Sequence, residues 1–193
     1  MNKPATFLFG SEELSRRRFL GLSAAALIVP FTSRLSSLGN RALLPPDRAL
    51  AFYNTHTAES AAVEYCRAGA LVPSSLAAIN HILRDTWTGE VKAIDVGLLN
   101  LLTRLARALP TREPFHVICG FRSHSTNEYL RTHGGGGVAA RSLHLVGKAI
   151  DIRVPGTDLR RLYKTAVALR GGGVGIYPAS DFVHVDVGPV RTW

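Results

Sequence analysis

Read for its rhythm of apolar and polar positions, the chain divides into short alternating runs and a few longer stretches at helical spacing. Ala49 to Thr55 and Ala61 to Cys66 are β-rich, and the polar His56 to Ser60 between them predicts a hairpin turn. Pro73-Ser74-Ser75 opens a helix through Leu76 to Leu83, with Leu76, Ile79, Ile82 and Leu83 on one stripe. Asp95 is placed to cap a second helix over Leu98 to Leu109, which Pro110 ends. Phe115 to Gly120 reads as a central strand, followed by Phe121-Arg122-Ser123, a polar loop and a short helix from Thr126 to Arg131. Ala149 to Val154 is another strand. Thr157 or Asp158 caps a helix from Leu159 to Leu169, and two last strands cover Val174 to Tyr177 and Phe182 to Val187. Helices come first and strands follow, with one late helix. The pattern predicts a single α+β domain on a mostly antiparallel sheet.

The N-terminal segment has another character. Ser15-Arg16-Arg17-Arg18-Phe19-Leu20-Gly21 precedes an apolar run from Leu22 to Phe31, too short for an ordinary spanning helix and laid out like an export signal. Paired arginines before Phe-Leu match the twin-arginine signal, an address read by a receptor. Leu43 to Arg48, with Pro45-Pro46, reads as the entry to the folded domain. The expected division is therefore a signal and linker over 1–42 and a folded domain over 43–193, exported to the periplasm and touching the membrane only in transit. Gly134 to Gly137 reads as a mobile loop beside a cleft, since the Lys-Ser/Thr of a phosphate loop does not follow it.

Charge adds a partner class. The formal net charge is +9, and residues 1–40 account for only five basic against two acidic positions, so the domain itself is basic. A basic domain suits an acidic polymer, either nucleic acid or cell wall. The export signal, and the lack of basic runs interleaved with aromatics, count against nucleic acid. Only two cysteines occur, Cys66 and Cys119, which excludes an all-cysteine zinc site and leaves either one disulfide or two free thiols.

The polar residues inside the apolar runs carry the chemistry. His144, Asp151 and His184 each sit among aliphatic neighbours, where an imidazole or carboxylate is costly to bury unless something binds it. Two imidazoles and a carboxylate with an open fourth position make a catalytic zinc site. Gly147 permits a turn between His144 and Asp151, so both can face one point from adjoining extended segments. In His184-Val-Asp186 the period of two places Asp186 and Phe182 on the face of His184. The expected cofactor is one zinc ion per chain.

Ser142-x-His144-x-x-Gly147-x-Ala149-x-Asp151 with a later His184-x-Asp186 resembles the zinc-dependent D,D-peptidases of the bacterial cell wall. That group shares its metal site with lysostaphin-type endopeptidases, D-alanyl-D-alanine peptidases and the hedgehog signalling domain. Within it the murein endopeptidase K branch is most similar, from Phe52-Tyr-Asn-Thr-His-Thr through Gly120-Phe-Arg-Ser to Phe182-Val-His-Val-Asp-Val-Gly-Pro-Val-Arg-x-Trp193. The resemblance implies zinc held by His144, Asp151 and His184, Arg122 facing the substrate's carbonyl or carboxylate, and Ser142 beside the metal. It further implies a metallopeptidase, endopeptidase or D,D-carboxypeptidase, that acts on peptidoglycan stem peptides or cross-links. The general base departs from better-known relatives, because Glu-x-x-His and His-x-His are both absent. Asp186, on the face of His184, is expected as base or water orienter, with Asp181 as the alternative. A monomer is expected. The competing reading is a peptidoglycan-binding module that keeps zinc without turnover.

Overall fold

A computed structural model describes residues 44–134 and 137–193; the twin-arginine stretch and two glycines of the Gly134 to Gly137 run lie outside them. The hairpin read from alternation forms as β1 (Arg48–Asn54) and β2 (Ser60–Arg67), paired antiparallel, with Leu50, Phe52 and Asn54 buried along β1. A two-residue strand, β3 (Ala70–Leu71), follows, too short to leave a periodic trace in the sequence. Helix α1 (Pro73–Ile82) starts at the proline, whose fixed φ and missing N–H suit a first turn. In α2 (Val96–Ala108) the Asp95 carboxylate accepts from Gly97 N at 2.7 Å, satisfying one of the helix's free amides.

Strand β4 (Phe115–Cys119) enters parallel to β1. Helix α3 (His124–His133) begins two residues earlier than the sequence suggests, because Ser123 Oγ accepts from Thr126 N and turns the expected polar loop into the first turn. The rest is β5 (Ala149–Arg153), α4 (Leu159–Ala168) capped by Asp158, β6 (Gly173–Tyr177), β7 (Phe182–Asp186) and β8 (Arg191–Thr192). Together they give one eight-stranded sheet in the order β3-β2-β1-β4-β5-β7-β6-β8, antiparallel except for β1–β4 and β6–β8. The chain is an α+β domain on a mostly antiparallel sheet.

Sheet alternation then separates core from chemistry. Ile150, Ile152, Val183 and Val185 point to the face that packs with Leu98, Leu99, Leu102, Leu105 and Leu162, all essentially buried. Each such side chain contributes about 1.5–3 kcal/mol through removal from water. The alternate positions Asp151, His184 and Asp186 necessarily point to the opposite face. The side chains that hold the domain together thus fix which way the polar ones aim. Cys66 and Cys119 are free thiols, on β2 and β4. Among the described residues no helix is long and apolar enough to cross a membrane.

Candidate metal centre

His144 does not lie on an extended segment. It sits in a 3-10 turn over Leu143–Val146, and that corrects the expectation of two adjoining strands. The cause is local: Ser142 Oγ accepts from His144 N at 3.3 Å at the start of the turn, and Gly147 ends it in the left-handed region at φ 65°. A Cβ at Gly147 would also lie 2.5 Å from Ala93 O, so both the conformation and the space require glycine. Asp151 and His184 come from neighbouring strands and stand directly opposite each other in the β5–β7 register.

The three side chains meet. His144 Nε2 lies 3.2 Å from His184 Nδ1 and 3.3 Å from Asp151 Oδ1, and His184 Nδ1 lies 2.8 Å from that same oxygen. The other nitrogen of each ring is already engaged. His144 Nδ1 donates to Gly120 O at 2.7 Å, and His184 Nε2 donates to Asp186 Oδ2 at 3.1 Å. These bonds turn both remaining nitrogen lone pairs toward Asp151 Oδ1, so three acceptors converge with no hydrogen between neutral rings to join them. Such a group requires a cation or a proton at its centre. Ligands of a tetrahedral zinc at bond lengths near 2.1 Å are about 3.4 Å apart, close to the spacings seen here. Outer hydrogen bonds from metal-binding histidines to a carbonyl and a carboxylate are the usual means of fixing ring orientation. The donor set fits zinc.

The electrostatics agree with that description. Burial opposes charge on His144, but the adjacent Asp151 carboxylate outweighs it, and the imidazole titrates well above its usual value. His184 is raised in the same way against its own burial, by Asp151 and Asp186. Burial would lift Asp151, yet the two imidazoles hold it well below the usual carboxylate range.

Asp186 stands behind the cluster. It is fully buried, and its Oδ1 accepts from Gly173 N at 2.9 Å and Gly188 N at 2.8 Å while Oδ2 accepts from Arg191 Nη2 at 2.7 Å and from His184. Those bonds overcome the effect of burial and keep it strongly ionised. Asp186 therefore faces the ring nitrogen turned away from the cluster. Asp181 is exposed and pairs with Arg153 Nη1 at 3.2 Å, outside the cleft. Ser142 lines the cleft, with its hydroxyl on the turn amide.

Arg122 enters from the loop after β4. Its Nη1 donates to Asn127 Oδ1 at 3.3 Å and its Nη2 to Cys119 Sγ at 3.4 Å, with Asp151 Oδ2 at 3.8 Å, while Nε is buried without a partner. The cleft above the cluster encloses about 470 Å³ and is lined by Arg122, Arg141, Arg191, Tyr177, Phe182 and Trp193 among others. A larger groove of about 820 Å³ along β1, β2 and the end of α2 holds no histidine or cysteine and plays no part in this cluster.

Several residues escaped the sequence reading. Cys119 Sγ lies within 4.8 Å of ligand atoms of His144 and Asp151, a position that counting cysteines could not reveal. Arg191 locks Asp186, and Trp193 lays its ring 5.2 Å from that of His184 while its Nε1 donates to Tyr177 Oη at 2.7 Å. The basic and aromatic residues of the terminal Arg-x-Trp were the available signal.

Comparison with known proteins agrees over nearly the whole chain. The family described as peptidoglycan L,D-endopeptidase MepK matches residues 44–193. The peptidoglycan L,D-endopeptidase MepK of Escherichia coli (strain K12) is 40% identical over 184 residues, covering 94% of this chain and 98% of that protein. The probable peptidoglycan L,D-endopeptidase MepK of Haemophilus influenzae is 39% identical over 184 residues, covering 93% and 95%. On a match that spans the entire described domain, the chain belongs to the peptidoglycan L,D-endopeptidase MepK family.

Proposed function

We propose that this protein is a zinc-dependent endopeptidase that hydrolyses L,D peptide cross-links of peptidoglycan in the periplasm. The observation that carries the reading is the meeting of His144 Nε2, His184 Nδ1 and Asp151 Oδ1 at the floor of a basic cleft. The relatives' activity supports the substrate and favours an L,D bond over D,D-carboxypeptidase trimming. Export by the twin-arginine route rests on Ser15 to Gly21, and paired Lys substitutions at Arg16 and Arg17 that leave the protein in the periplasm would refute it.

Zinc held by these three residues would polarise the scissile carbonyl and acidify a water. The chain's own groups then divide the remaining tasks. Arg122, kept in place by Asn127 and Cys119, presents a permanent positive charge toward the developing oxyanion. Asp186 positions His184 rather than taking a proton, because its oxygens are already occupied. Asp151, a candidate ligand that the two imidazoles hold well below the usual carboxylate range, is not available to take the proton of the attacking water. Arg141 at the wall suits the free carboxylates of stem peptides.

The test is digestion of purified sacculi by the full-length protein with and without a chelator, the released fragments identified by mass. Chelator-sensitive appearance of peptides cut at L,D cross-links is expected. Tight zinc binding with no release of any fragment would leave a wall-binding module in place of an enzyme.

A further inference from the structure

Away from the cluster, the surface carries an aromatic corner that none of this chemistry uses. Trp87 and Tyr129 are large, exposed side chains, 58% and 53% accessible, whose rings meet edge to face at 5.3 Å and 75°. Tyr129 is backed by His133, stacked at 4.4 Å and 15°. Two exposed aromatic rings in mutual contact form a contiguous apolar patch rather than singly scattered apolar residues.

The corner is held rigidly. Asp85, only 2% exposed, accepts from Trp87 N at 2.8 Å and Thr88 N at 3.1 Å through Oδ1, and from Ser123 N at 2.7 Å through Oδ2. Ser123 is the cap of α3, the helix that carries Tyr129. One buried carboxylate therefore ties the Trp87 turn to the start of the Tyr129 helix, and its bonds to these groups keep it ionised in spite of burial. The next residue on α3, Leu130, and the helix's final cap, Gly134, line the cleft above the metal cluster. The corner and the cleft share a wall.

We infer that Trp87 and Tyr129 form a saccharide subsite that receives a pyranose ring of the glycan strand while the attached peptide lies in the cleft. The inference rests on the peptidoglycan reading above. Two rings set nearly at right angles offer a face for the apolar C–H side of a sugar and an edge beside it, leaving the hydroxyls in water. The surroundings match such a ligand: the exposed Glu128–Arg131 pair and Thr132 on the same helix provide polar groups, whereas an acyl chain would need a continuous apolar surface. A peptide of this polymer is tethered to its glycan strand, so an occupied cleft brings a sugar within a few residues' length of its wall.

The test uses two probes. Peptide-free glycan strands, prepared by stripping sacculi with an amidase, report binding by co-sedimentation; a sugar-free cross-linked peptide dimer reports hydrolysis. Trp87→Ala and Tyr129→Ala should each weaken glycan binding about tenfold, equivalent to about 1.4 kcal/mol and within the range for an aromatic contact. Trp87→Phe should keep most of it. Cleavage of the dimer should stay within about twofold of wild type while release from sacculi falls. Wild-type protein that fails to sediment with glycan strands, or variants that bind them normally, would overturn the subsite. So would equal losses on dimer and sacculi, or a loss of self-association in Trp87→Ala that identifies a second copy as the occupant. Failure to cut either substrate refutes the enzyme reading instead, and glycan binding still decides the subsite.

Discussion

Asp151 and His184 stand opposite each other across the β5–β7 ladder, and their side chains meet at 2.8 Å on the face away from the core. That pairing is set by register alone. A slip of one residue would turn Asp151 into the aliphatic layer and bring Ile150 or Ile152 to the site. The packing of Ile150, Ile152, Val183 and Val185 is thus what aligns two of the three candidate ligands.

Replacement of a candidate ligand should abolish metal retention. His184→Ala and Asp151→Ala are expected to drop bound zinc from one per chain to near zero in elemental analysis of purified protein. Hydrolysis should then fall at least about a thousandfold, the scale lost with the metal's several kcal/mol of stabilisation. A variant that keeps stoichiometric zinc would remove that residue from the ligand set.

Asp186→Asn separates positioning from base catalysis. A lost outer-sphere carboxylate typically costs about 10–100-fold in metal affinity or activity. The measurement is activity against zinc concentration, and recovery at excess zinc is expected because only ring orientation is weakened. A defect that no zinc concentration relieves would restore Asp186 as the base.

The pH dependence of zinc binding follows from the shifted groups. In the metal-free chain Asp151 is held low and His144 is raised, so a proton sits within the cluster at neutral pH. A bound ion must expel it. Affinity should therefore rise with pH through the raised values of His144 and His184 and level off above them. Calorimetry in two buffers of different ionisation heat should show net release of protons near pH 7. For metal-free stability the sign is opposite: the protonated imidazole favours the fold below its unfolded value, near pH 6.5, and that contribution fades as pH rises through the raised folded value.

Ser142→Ala tests a cap against a substrate contact. Since Ser142 Oγ engages His144 N, the expected effect is a loss of about 1 kcal/mol in thermal or denaturant unfolding. KM should be nearly unchanged. A raised KM at normal stability would return Ser142 to substrate binding.

Gly120→Ala should damage the site from beneath. A Cβ there would lie 2.5 Å from Leu83 O, which already accepts from Phe121 N, and the Gly120 carbonyl anchors His144. Overpacking of this kind costs about 1–3 kcal/mol. Unfolding midpoint and zinc affinity should fall together.

The alternation of apolar residues made most of this fold legible, because strands and helices that bury one face must repeat with their own periods. The helix over Leu98 to Leu109 and the strands through Asp151 and His184 lie where that pattern puts them. The His144 turn was misread as extended because its geometry depends on Ser142 Oγ and on Ala93 O beside Gly147, one of them distant in sequence. Asp186 was legible as a neighbour of His184, but period two gives only the face; the ring nitrogen it meets depends on the Arg191, Gly173 and Gly188 donors around it. Cys119 and Trp193 reach the site only through tertiary pairing, of which single-residue spacing carries no trace.

Both margins of the sheet end in strands of two residues, β3 and β8. Each covers only one end of the strand it borders: β3 pairs with Cys66 and Arg67 of β2, and β8 with Gly173 and Val174 of β6. The sheet's open side is left to the cleft, where Arg191 of the last border strand lines the wall and grips Asp186. The residues that end the sheet on that side thus also brace its polar centre.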